Sequence, residues 1–236
     1  IPVVITYYQR TGPSTGFPTR HEQGDLRFAI HAGHGEFPRI VLASSDIIEC
    51  FYDAVLAFNY AERYQTPVIH LIDKAIANSS MVCGMPELER VKIDRGLLLD
   101  EWQLEHMEGY TRFKFTDSGV SPRAVLGMKN GVFWCSGDEH DELGHICEVP
   151  ANRLDMMNKR MKKLETAAKE IPNSEKAKFY GNGKAETAVV SWGSPKGAIL
   201  DAMELLLKEG IDVRFIQLRL LNPFPTELVI KQIENA

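Results

Sequence analysis

The chain has 236 residues, of which 44% are hydrophobic and 25% are charged, and its formal net charge is −5. That length is enough for one large domain or two modest ones with a buried core. The composition is that of a globular protein and excludes a disordered or membrane-embedded chain. The negative charge argues against the broad basic surface that nucleic acids require. We therefore expect no nucleic-acid partner and no membrane partner.

The cysteine pattern gives no indication of a cysteine-bound metal or cluster in this chain. The four cysteines are far apart and form no C-x-x-C pair: Cys50, Cys83, Cys135 and Cys147. Free thiols in a reducing cytoplasm are the simplest interpretation, since nothing at the start resembles a secretory signal. The first residue is Ile1 and not a methionine. We therefore expect the numbering to begin inside a longer polypeptide.

The first third of the chain alternates predicted strands and helices. The β-branched run Pro2 to Tyr8 predicts a strand that enters a glycine- and proline-rich loop. A short helix is predicted over Asp25 to Ala32, and further strands over Arg39 to Ala43 and Pro67 to Asp73. A helix running to about Tyr64 joins the last two strands. Strand, helix and strand with short connections predict a right-handed parallel crossover, and hence an α/β fold.

The long predicted helix has a capped start and an apolar stripe. Asp46 is placed to act as its N-cap, with Glu49 three residues later. Apolar residues then recur at helical spacing and are expected to face the core: Ile47, Ile48, Phe51, Val55 and Phe58.

Polar residues follow all three predicted strands of this unit. They are the Arg10 loop, Ser44-Ser45 and Asp73-Lys74. Because open parallel sheets bind ligands beyond the carboxyl ends of their strands, we expect these three loops to converge.

The periodicity weakens from about Met85 to Gly183, which predicts an excursion and a connector with one basic helix, roughly Asn152 to Glu170. Its apolar stripe is expected to be packing surface and not a cofactor site: Met156, Met157, Met161 and Leu164. Its basic run is expected to be a solvated helix face, with an anionic partner as the alternative: Lys159, Arg160, Lys162 and Lys163.

A second α/β unit is predicted after residue 183, with a strand over Thr187 to Trp192, a helix to about Glu209 and a strand over Asp212 to Leu218. Asn222-Pro223-Phe224-Pro225 then breaks the chain before a last helix. That helix is expected to begin at Thr226, to expose two residues and to bury three: Glu227 and Glu234 outward, Leu228, Val229 and Ile233 inward. An open sheet usually has more strands, so we expect a carboxyl-terminal piece to be missing.

The Arg10 loop is the strongest candidate site. A guanidinium binds a carboxylate through two parallel hydrogen bonds. Gly12 permits close backbone approach, and Ser14 and Thr15 offer hydroxyls or backbone donors. We therefore predict an anion-binding loop formed by Arg10, Gly12, Ser14 and Thr15. A surface salt bridge from Arg10, with the glycines merely shaping a turn, is the alternative that composition leaves open.

Three further motifs have a functional and a structural interpretation. His34 is expected to be a turn residue that satisfies backbone groups, with proton transfer as the alternative. His70 is expected to be a hydrogen-bonded core residue. The loop Asp138 to His145 holds possible metal ligands of a hydrolase, but it lacks H-E-x-x-H spacing and is expected to be a solvated or interface loop. Gly193 to Gly197 is expected to be a plain strand-to-helix turn capped by Ser194, with anion binding as the alternative.

Several segments, in order, resemble one family. Gln9 to Thr19 is similar to the Q-R-x-G-P-S-T-G-x-P-T segment of the alpha subunits of 2-oxoacid:ferredoxin oxidoreductases. The resemblance continues through much of the chain: Gly33 to Arg39, Gln65 to Val68, Ser121 to Arg123, Gly137 to His140 and Lys159 to Met161. Trp192-Gly193-Ser194 and Asn222 to Pro225 resemble a domain similar to the carboxyl-terminal domain of transketolase.

The resemblance implies a fold and an activity. The fold would be a parallel-sheet, pyrimidine-type thiamine-binding domain with its connector over residues 1–180, incomplete at its start, and a transketolase C-terminal-like α/β domain over 181–236. The enzyme would oxidatively decarboxylate a 2-oxoacid to acyl-CoA and pass the electrons to ferredoxin. Arg10 would pair with the substrate carboxylate.

The resemblance also implies partners and cofactors. Thiamine diphosphate, Mg²⁺ and a [4Fe–4S] cluster would belong to the complete complex, mainly to a separate beta subunit, and this chain alone would bind none of them and be inactive. The family's Y-P-I-T-P segment and its thiamine-activating glutamate would precede Ile1. The alternative is a non-catalytic module that retains the thiamine-enzyme scaffold for subunit assembly.

Overall fold

The structure is a computed structural model and describes residues 2–234. Its strands are β1 (Val3–Gln9), β2 (Ile40–Ala43), β3 (Pro67–Asp73), β4 (Ala177–Tyr180), β5 (Thr187–Ser191), β6 (Val213–Leu218) and β7 (Leu220–Asn222). Its α-helices are α1 (Leu26–His31), α2 (Ile47–Tyr64), α3 (Lys74–Ala77), α4 (Glu101–His106), α5 (Pro150–Glu170), α6 (Asn173–Lys176), α7 (Pro195–Lys208) and α8 (Thr226–Ile233). The predicted α/β fold is confirmed.

The first sheet has the order β1-β3-β2-β7. Strands β1, β3 and β2 are parallel, with Gln9 opposite Asp73 and Ala43 opposite Leu71. Their carboxyl ends therefore lie at one edge of the sheet, as the sequence predicted. The connection from β2 through α2 to β3 is the predicted parallel crossover.

The second sheet has the order β4-β6-β5. Strands β5 and β6 are parallel and joined by α7, which confirms the second predicted unit. Strand β4 pairs with β6 antiparallel, while β7 returns to the first sheet and pairs antiparallel with β2. Strand β4, which precedes the predicted boundary at residue 181, thus belongs to the second sheet, and β7, which follows it, belongs to the first. The two sheets share one core.

Two apolar clusters cover the two faces of the first sheet. On one face Ile40 and Leu42 pack against α2 and α5, including Tyr64 and Ala167. The other face is covered by β6, α1 and α8: Val41, Ala43, Ile69, Leu71, Ile216, Leu218, Leu221, Val229 and Ala29. Burial on both faces explains why β2 and β3 read as continuous apolar runs.

The prediction of the buried face of α2 was wrong. The side chains of Phe51 and Phe58 are 37% and 60% exposed, and none of the five residues expected to face the core is fully buried. The buried stripe instead mixes small, aromatic and charged residues: Glu49, Asp53, Ala57, Tyr60, Ala61 and Tyr64. The charged members are buried because serines after β2 and cationic or polar groups from distant segments satisfy them. A hydrophobic pattern cannot predict such burial.

Two expectations about other helices also need correction. Met156 is buried, but Met161 is 36% exposed, so the apolar stripe of α5 is only partly packed. In α8, Val229 is buried as predicted whereas Ile233 is 44% exposed. None of the helices among residues 2–234 is long and apolar enough to span a membrane.

Candidate functional site

The Arg10 loop is a small closed turn directly after β1. The backbone N–H of Phe17 donates to the carbonyl of Thr11 at 3.2 Å, so the chain doubles back on itself. Gly16 is required there, because its φ is +46° and a Cβ would lie 2.5 Å from the Thr11 carbonyl oxygen. A Cβ on Gly12 would meet nothing within 4 Å. The loop is therefore closed on itself, and the space beside Gly12 is open.

Arg10 braces this loop with its own guanidinium. Nη1 donates to the carbonyl oxygens of Thr11 (3.2 Å) and Thr15 (2.6 Å), and Nη2 donates to that of Ser14 (2.9 Å). The alternative of a surface salt bridge is wrong, since no carboxylate among residues 2–234 pairs with Arg10. Of the five N–H donors of a guanidinium, Nε–H and one on Nη2 have no protein acceptor in the described chain.

The environment of Arg10 contains one further ionisable pair. Tyr7 and Asp25 lie close enough to affect each other's titration, and the positive charge of Arg10 acts on both groups. Burial raises the pKa of Asp25 above its usual range, and the charge of Glu22 raises it further. Burial and the neighbouring Asp25 likewise raise the pKa of Tyr7.

Two of the three predicted loops, those of Ser45 and Asp73, meet on a fourth, whereas the Arg10 loop itself does not contact them and only Gln23, which follows it, reaches this place. Asp73 accepts from the backbone N–H of Ser194 at 2.7 Å, and Ser45 Oγ accepts from that of Gly193 at 3.0 Å. Gln23 donates from Nε2 to Asp73 at 3.2 Å and to the Trp192 carbonyl at 2.8 Å. The carboxyl edge of the first sheet is therefore closed by the β5–α7 turn.

The same contacts decide between the two interpretations of that turn. The N–H groups of Gly193 and Ser194 are used by Ser45 and Asp73, so they are not available to a bound anion. The plain turn is confirmed, but Ser194 occupies the N-cap position without a side-chain capping bond. Gly193 has a φ of +75°, and a Cβ would lie 2.3 Å from Gln23 Nε2 and 2.7 Å from Asp73 Oδ2. Only glycine fits this position.

Glu49 is the centre of the contact between the two units. Its carboxylate is 5% exposed and accepts from the Ser45 N–H, Gln217 Nε2, Lys178 Nζ and Lys196 Nζ at 2.8–2.9 Å. Burial alone would raise its pKa, but the hydrogen bonds and charges of the two lysines outweigh burial and lower the pKa to about 2. Asp46 is the predicted N-cap of α2 and also accepts from Lys196 at 2.5 Å.

A buried serine, histidine and aspartate lie beside this cluster. Ser44 Oγ is 2.7 Å from Asp53 Oδ2 and 2.6 Å from His70 Nε2, and Arg219 pairs with Asp53. Burial, together with the charge of Arg219, lowers the pKa of His70 to about 4, so the ring is neutral at neutral pH. The prediction that His70 is a hydrogen-bonded core residue is confirmed. All three side chains are almost fully buried, and the arrangement cannot reach a substrate.

His34 and the acidic loop lie away from the convergence of loops. His34 is exposed and makes no hydrogen bond within the described residues, so its expected role as a turn residue that satisfies backbone groups was wrong. In the acidic loop, Glu139 pairs with Arg153 and Arg160, and Asp141 accepts from the N–H groups of Leu143 and His145. Residues 2–234 contain no group of three or more His, Cys, Asp or Glu side chains that could hold a metal ion.

Residue patterns alone did not reveal the network around Glu49 and Asp53. A signal was present, because Glu49, Asp53, Ala57 and Ala61 are spaced four apart along one face of α2. Charged residues in line with small ones on a helix packed between two units are candidates for buried ion pairs.

Comparisons with known proteins agree on one family. Residues 1–159 match the family described as pyruvate flavodoxin/ferredoxin oxidoreductase, thiamine diphosphate-binding. The chain is 51% identical over its whole length to the 2-oxoacid:ferredoxin oxidoreductase subunit alpha of Saccharolobus solfataricus, of which it covers 37%. It is 32% identical to the 2-oxoglutarate oxidoreductase subunit KorA of Mycobacterium tuberculosis, with 97% of this chain and 34% of that protein covered.

One solved structure also matches almost the entire chain. It is the 2-oxoglutarate:ferredoxin oxidoreductase from Magnetococcus marinus, with 2-oxoglutarate, coenzyme A and succinyl-CoA bound. The TM-score is 0.89 at 35% identity, and the match covers 99% of this chain and 40% of that one. The chain thus spans well under half the length of these relatives. It belongs to the thiamine diphosphate-binding pyruvate flavodoxin/ferredoxin oxidoreductase family.

Proposed function

We propose that this chain forms part of the alpha subunit of an enzyme that oxidatively decarboxylates a 2-oxoacid to acyl-CoA and passes the electrons to ferredoxin. Within that enzyme Arg10 binds the substrate carboxylate. The observation that carries this role is the guanidinium itself, which is fixed by Thr11, Ser14 and Thr15 and keeps Nε–H and one Nη2–H without a protein acceptor. Adjacent donors of this kind match the two oxygens of a carboxylate.

The rest of the Arg10 loop contributes to substrate binding by leaving space for the substrate beside Arg10. Ser14 and Thr15 offer Arg10 their carbonyls, while their side chains are exposed and the space beside Gly12 is open. A small 2-oxoacid can therefore approach the loop backbone closely at Gly12. The loop acts by positioning and charge, and no residue in it is proposed as a proton donor or nucleophile.

The carboxylates at this edge of the sheet do not fit thiamine activation. Asp73 accepts hydrogen bonds from Ser194, Gln23 and Ile76, and Asp25 lies near Tyr7 and the like charge of Glu22. When bound, thiamine diphosphate supplies the carbon nucleophile of such reactions. We propose that the residues of this chain contribute substrate binding at that centre.

The remaining cofactors and partners belong to the complete enzyme. We place Mg²⁺ and the [4Fe–4S] cluster mainly on a beta subunit, and the four cysteines of this chain are free and far apart in the sequence. The electron acceptor is ferredoxin and the acyl acceptor is coenzyme A. The four free cysteines support a cytoplasmic enzyme. The division into 1–180 and 181–236 stays a prediction.

The role of Arg10 is tested by replacing it in the complete enzyme. In Arg10→Ala the substrate carboxylate loses a charge-assisted bidentate partner, worth about 3 kcal/mol. We expect kcat/KM for the 2-oxoacid to fall roughly 100-fold, with most of the loss in KM. The matched control is Arg20→Ala, which removes the same charge from an exposed position in the same loop.

A second measurement separates carboxylate binding from bracing of the loop. Added methylguanidinium should restore part of the activity of Arg10→Ala, because it replaces the cation without repairing the loop. Equal KM values in Arg10→Ala and Arg20→Ala would overturn the proposal. A large loss without any rescue would indicate that Arg10 only holds the loop together.

A further inference from the structure

A cavity lies at the edge of the first sheet opposite to the Arg10 loop. It has a volume of about 580 Å³ and is bordered by Pro2, Pro38 and Pro67, which precede or begin β1, β2 and β3. The Arg10 loop follows the carboxyl end of β1, seven residues away, so the cavity is about 20 Å from the candidate substrate site. The two sites are separate.

Four cations line this cavity, and no carboxylate does so among the described residues. They are Arg112, Lys159, Arg160 and Lys163. Arg160 is paired with Glu139 outside the lining, and Lys163 donates to the Gln65 carbonyl at 2.9 Å. Arg112 and Lys159 have no ion-pair partner within residues 2–234. The expectation of a solvated charge run was therefore wrong for part of α5, because Lys159 and Lys163 are turned into the cavity.

The cations are held in an apolar setting. Arg112 lies over the rings of Phe113 and Phe133, with its guanidinium carbon 5.2 and 6.0 Å from the ring centroids. These two rings and Met156 form much of the wall. Burial, followed by the charges of Arg112 and Arg160, lowers the pKa of Lys159 to about 8.

Lys163 is affected more strongly. Burial and then the charges of Lys159, Arg112 and Arg160 lower its pKa to about 7. The other titratable groups around the lysines are His140 and Cys135 in the lining, Glu142, which acts on Lys159, Glu139, which pairs with Arg160, and Asp117 and Asp155, which border Lys159 on its other side. Like charges four residues apart on a helix destabilise it. A bound anion would remove that repulsion.

We propose that this cavity binds a small organic dianion, whose two charges meet Arg112, Lys159 and Lys163 and whose apolar part lies against Phe113 and Phe133. The dianion is a phosphate ester or a dicarboxylate. The arrangement supplies what either ligand needs, namely converging donors of one charge and an aromatic wall, within a concave space of suitable volume.

The binding test uses the complete enzyme and four probes. Phenyl phosphate joins a ring to a phosphate ester, and phenylmalonate joins the same ring to a dicarboxylate. Inorganic phosphate carries the charge without a ring, and benzyl alcohol carries the ring without a charge. By calorimetry we expect saturable binding of at least one ring-bearing dianion, about tenfold tighter than that of inorganic phosphate, and none of benzyl alcohol. The better of the two dianions identifies the ligand as phosphate ester or dicarboxylate.

Competitive acylation locates the bound probe. At pH 7.5 a lysine with a pKa of about 7 is mostly unprotonated, whereas an ordinary lysine is unprotonated to about one part in a thousand. Lys163 and Lys159 should therefore react first with a limiting acylating reagent, as read by mass spectrometry. A bound dianion favours the charged amines, raises their pKa values and slows both reactions. Lys162, on the same helix and paired with Glu165, is the internal control.

Substitution completes the test. Lys159→Met with Lys163→Met should weaken binding at least tenfold, and Lys162→Met should leave it unchanged. If the double variant does not fold, the acylation experiment on the unmodified enzyme decides alone. Absence of saturable binding, binding without protection of Lys159 and Lys163, or lysines already shielded in the complete enzyme would each overturn the proposal. In the Arg10→Ala variant, a bound dianion should still protect both lysines from acylation. This proposal and the proposed function can therefore fail independently.

Discussion

Replacing Glu49 with glutamine should loosen the contact between the two units at the carboxyl edge of the first sheet. The carboxylate accepts from Ser45, Gln217, Lys178 and Lys196. An amide in its place loses the charge and turns an N–H₂ group toward groups that are all donors. Lys178 then loses its carboxylate partner, while Lys196 keeps its ion pair with Asp46.

The size of the effect follows from the pKa of Glu49. A fall of the pKa from 4.5 to about 2 means that the folded state stabilises the ionised Glu49 by roughly 3 kcal/mol relative to the unfolded state. Because the pKa is depressed, this stability is fully present above pH 4.5 and is lost as the pH falls toward 2. At neutral pH, Glu49→Gln removes it entirely.

Hydrogen exchange read by mass spectrometry in the complete enzyme measures this opening locally. The N–H groups of Gly193 and Ser194 are held by Ser45 and Asp73, beside Glu49. We expect them to exchange on the order of 100-fold faster in Glu49→Gln. Glu165→Gln, which breaks only an exposed pair on α5, is the control. Unchanged exchange at this turn would refute the view that Glu49 holds the units together.

Two further substitutions test packing. Gly193→Ala places a Cβ against Gln23 and Asp73 at a φ of +75° and should cost about 2 kcal/mol, seen as faster exchange in the same turn; normal exchange would mean that the turn shifts freely. Met156→Ala empties a buried position and should cost about 2–5 kcal/mol, whereas the same change at the part-exposed Met161 should cost less than about 1. Thermal inactivation of the complete enzyme compares the two, and similar midpoints would contradict the assigned burial.

The sequence predicted what depends on neighbours along the chain. The cap formed by Asp46 on the N–H of Glu49 is a contact over three residues, and it was found as expected. The parallel crossover follows from two apolar runs joined by one helix, and it fixes the edge at which Ser45 and Asp73 meet. The meeting of the Ser45 and Asp73 loops could be predicted because parallel strands place their carboxyl ends together.

The sequence did not predict contacts between distant segments. Glu49 meets Lys178 and Lys196 across 129 and 147 residues, and no local pattern selects those partners. Hydrophobic spacing therefore chose the wrong face of α2. The basic run of α5 was misread for a related reason, because the burial of Lys163 depends on a cavity built from segments far apart in the chain.

Helix α2 connects the two edges of the sheet, and its ends have opposite polarity. Its first turn is held by the Glu49 network at the carboxyl edge. Just past its last turn, the Gln65 carbonyl accepts a hydrogen bond from Lys163 beside the cavity at the opposite edge. Its 18 residues extend about 27 Å, so it spans the sheet as one rigid element. The helix dipole favours anions at its start and cations at its end. Glu49 lies at the end that suits its charge, and the Gln65 carbonyl just past the other end accepts from Lys163, so α2 joins the network at the carboxyl edge to the wall of the cavity.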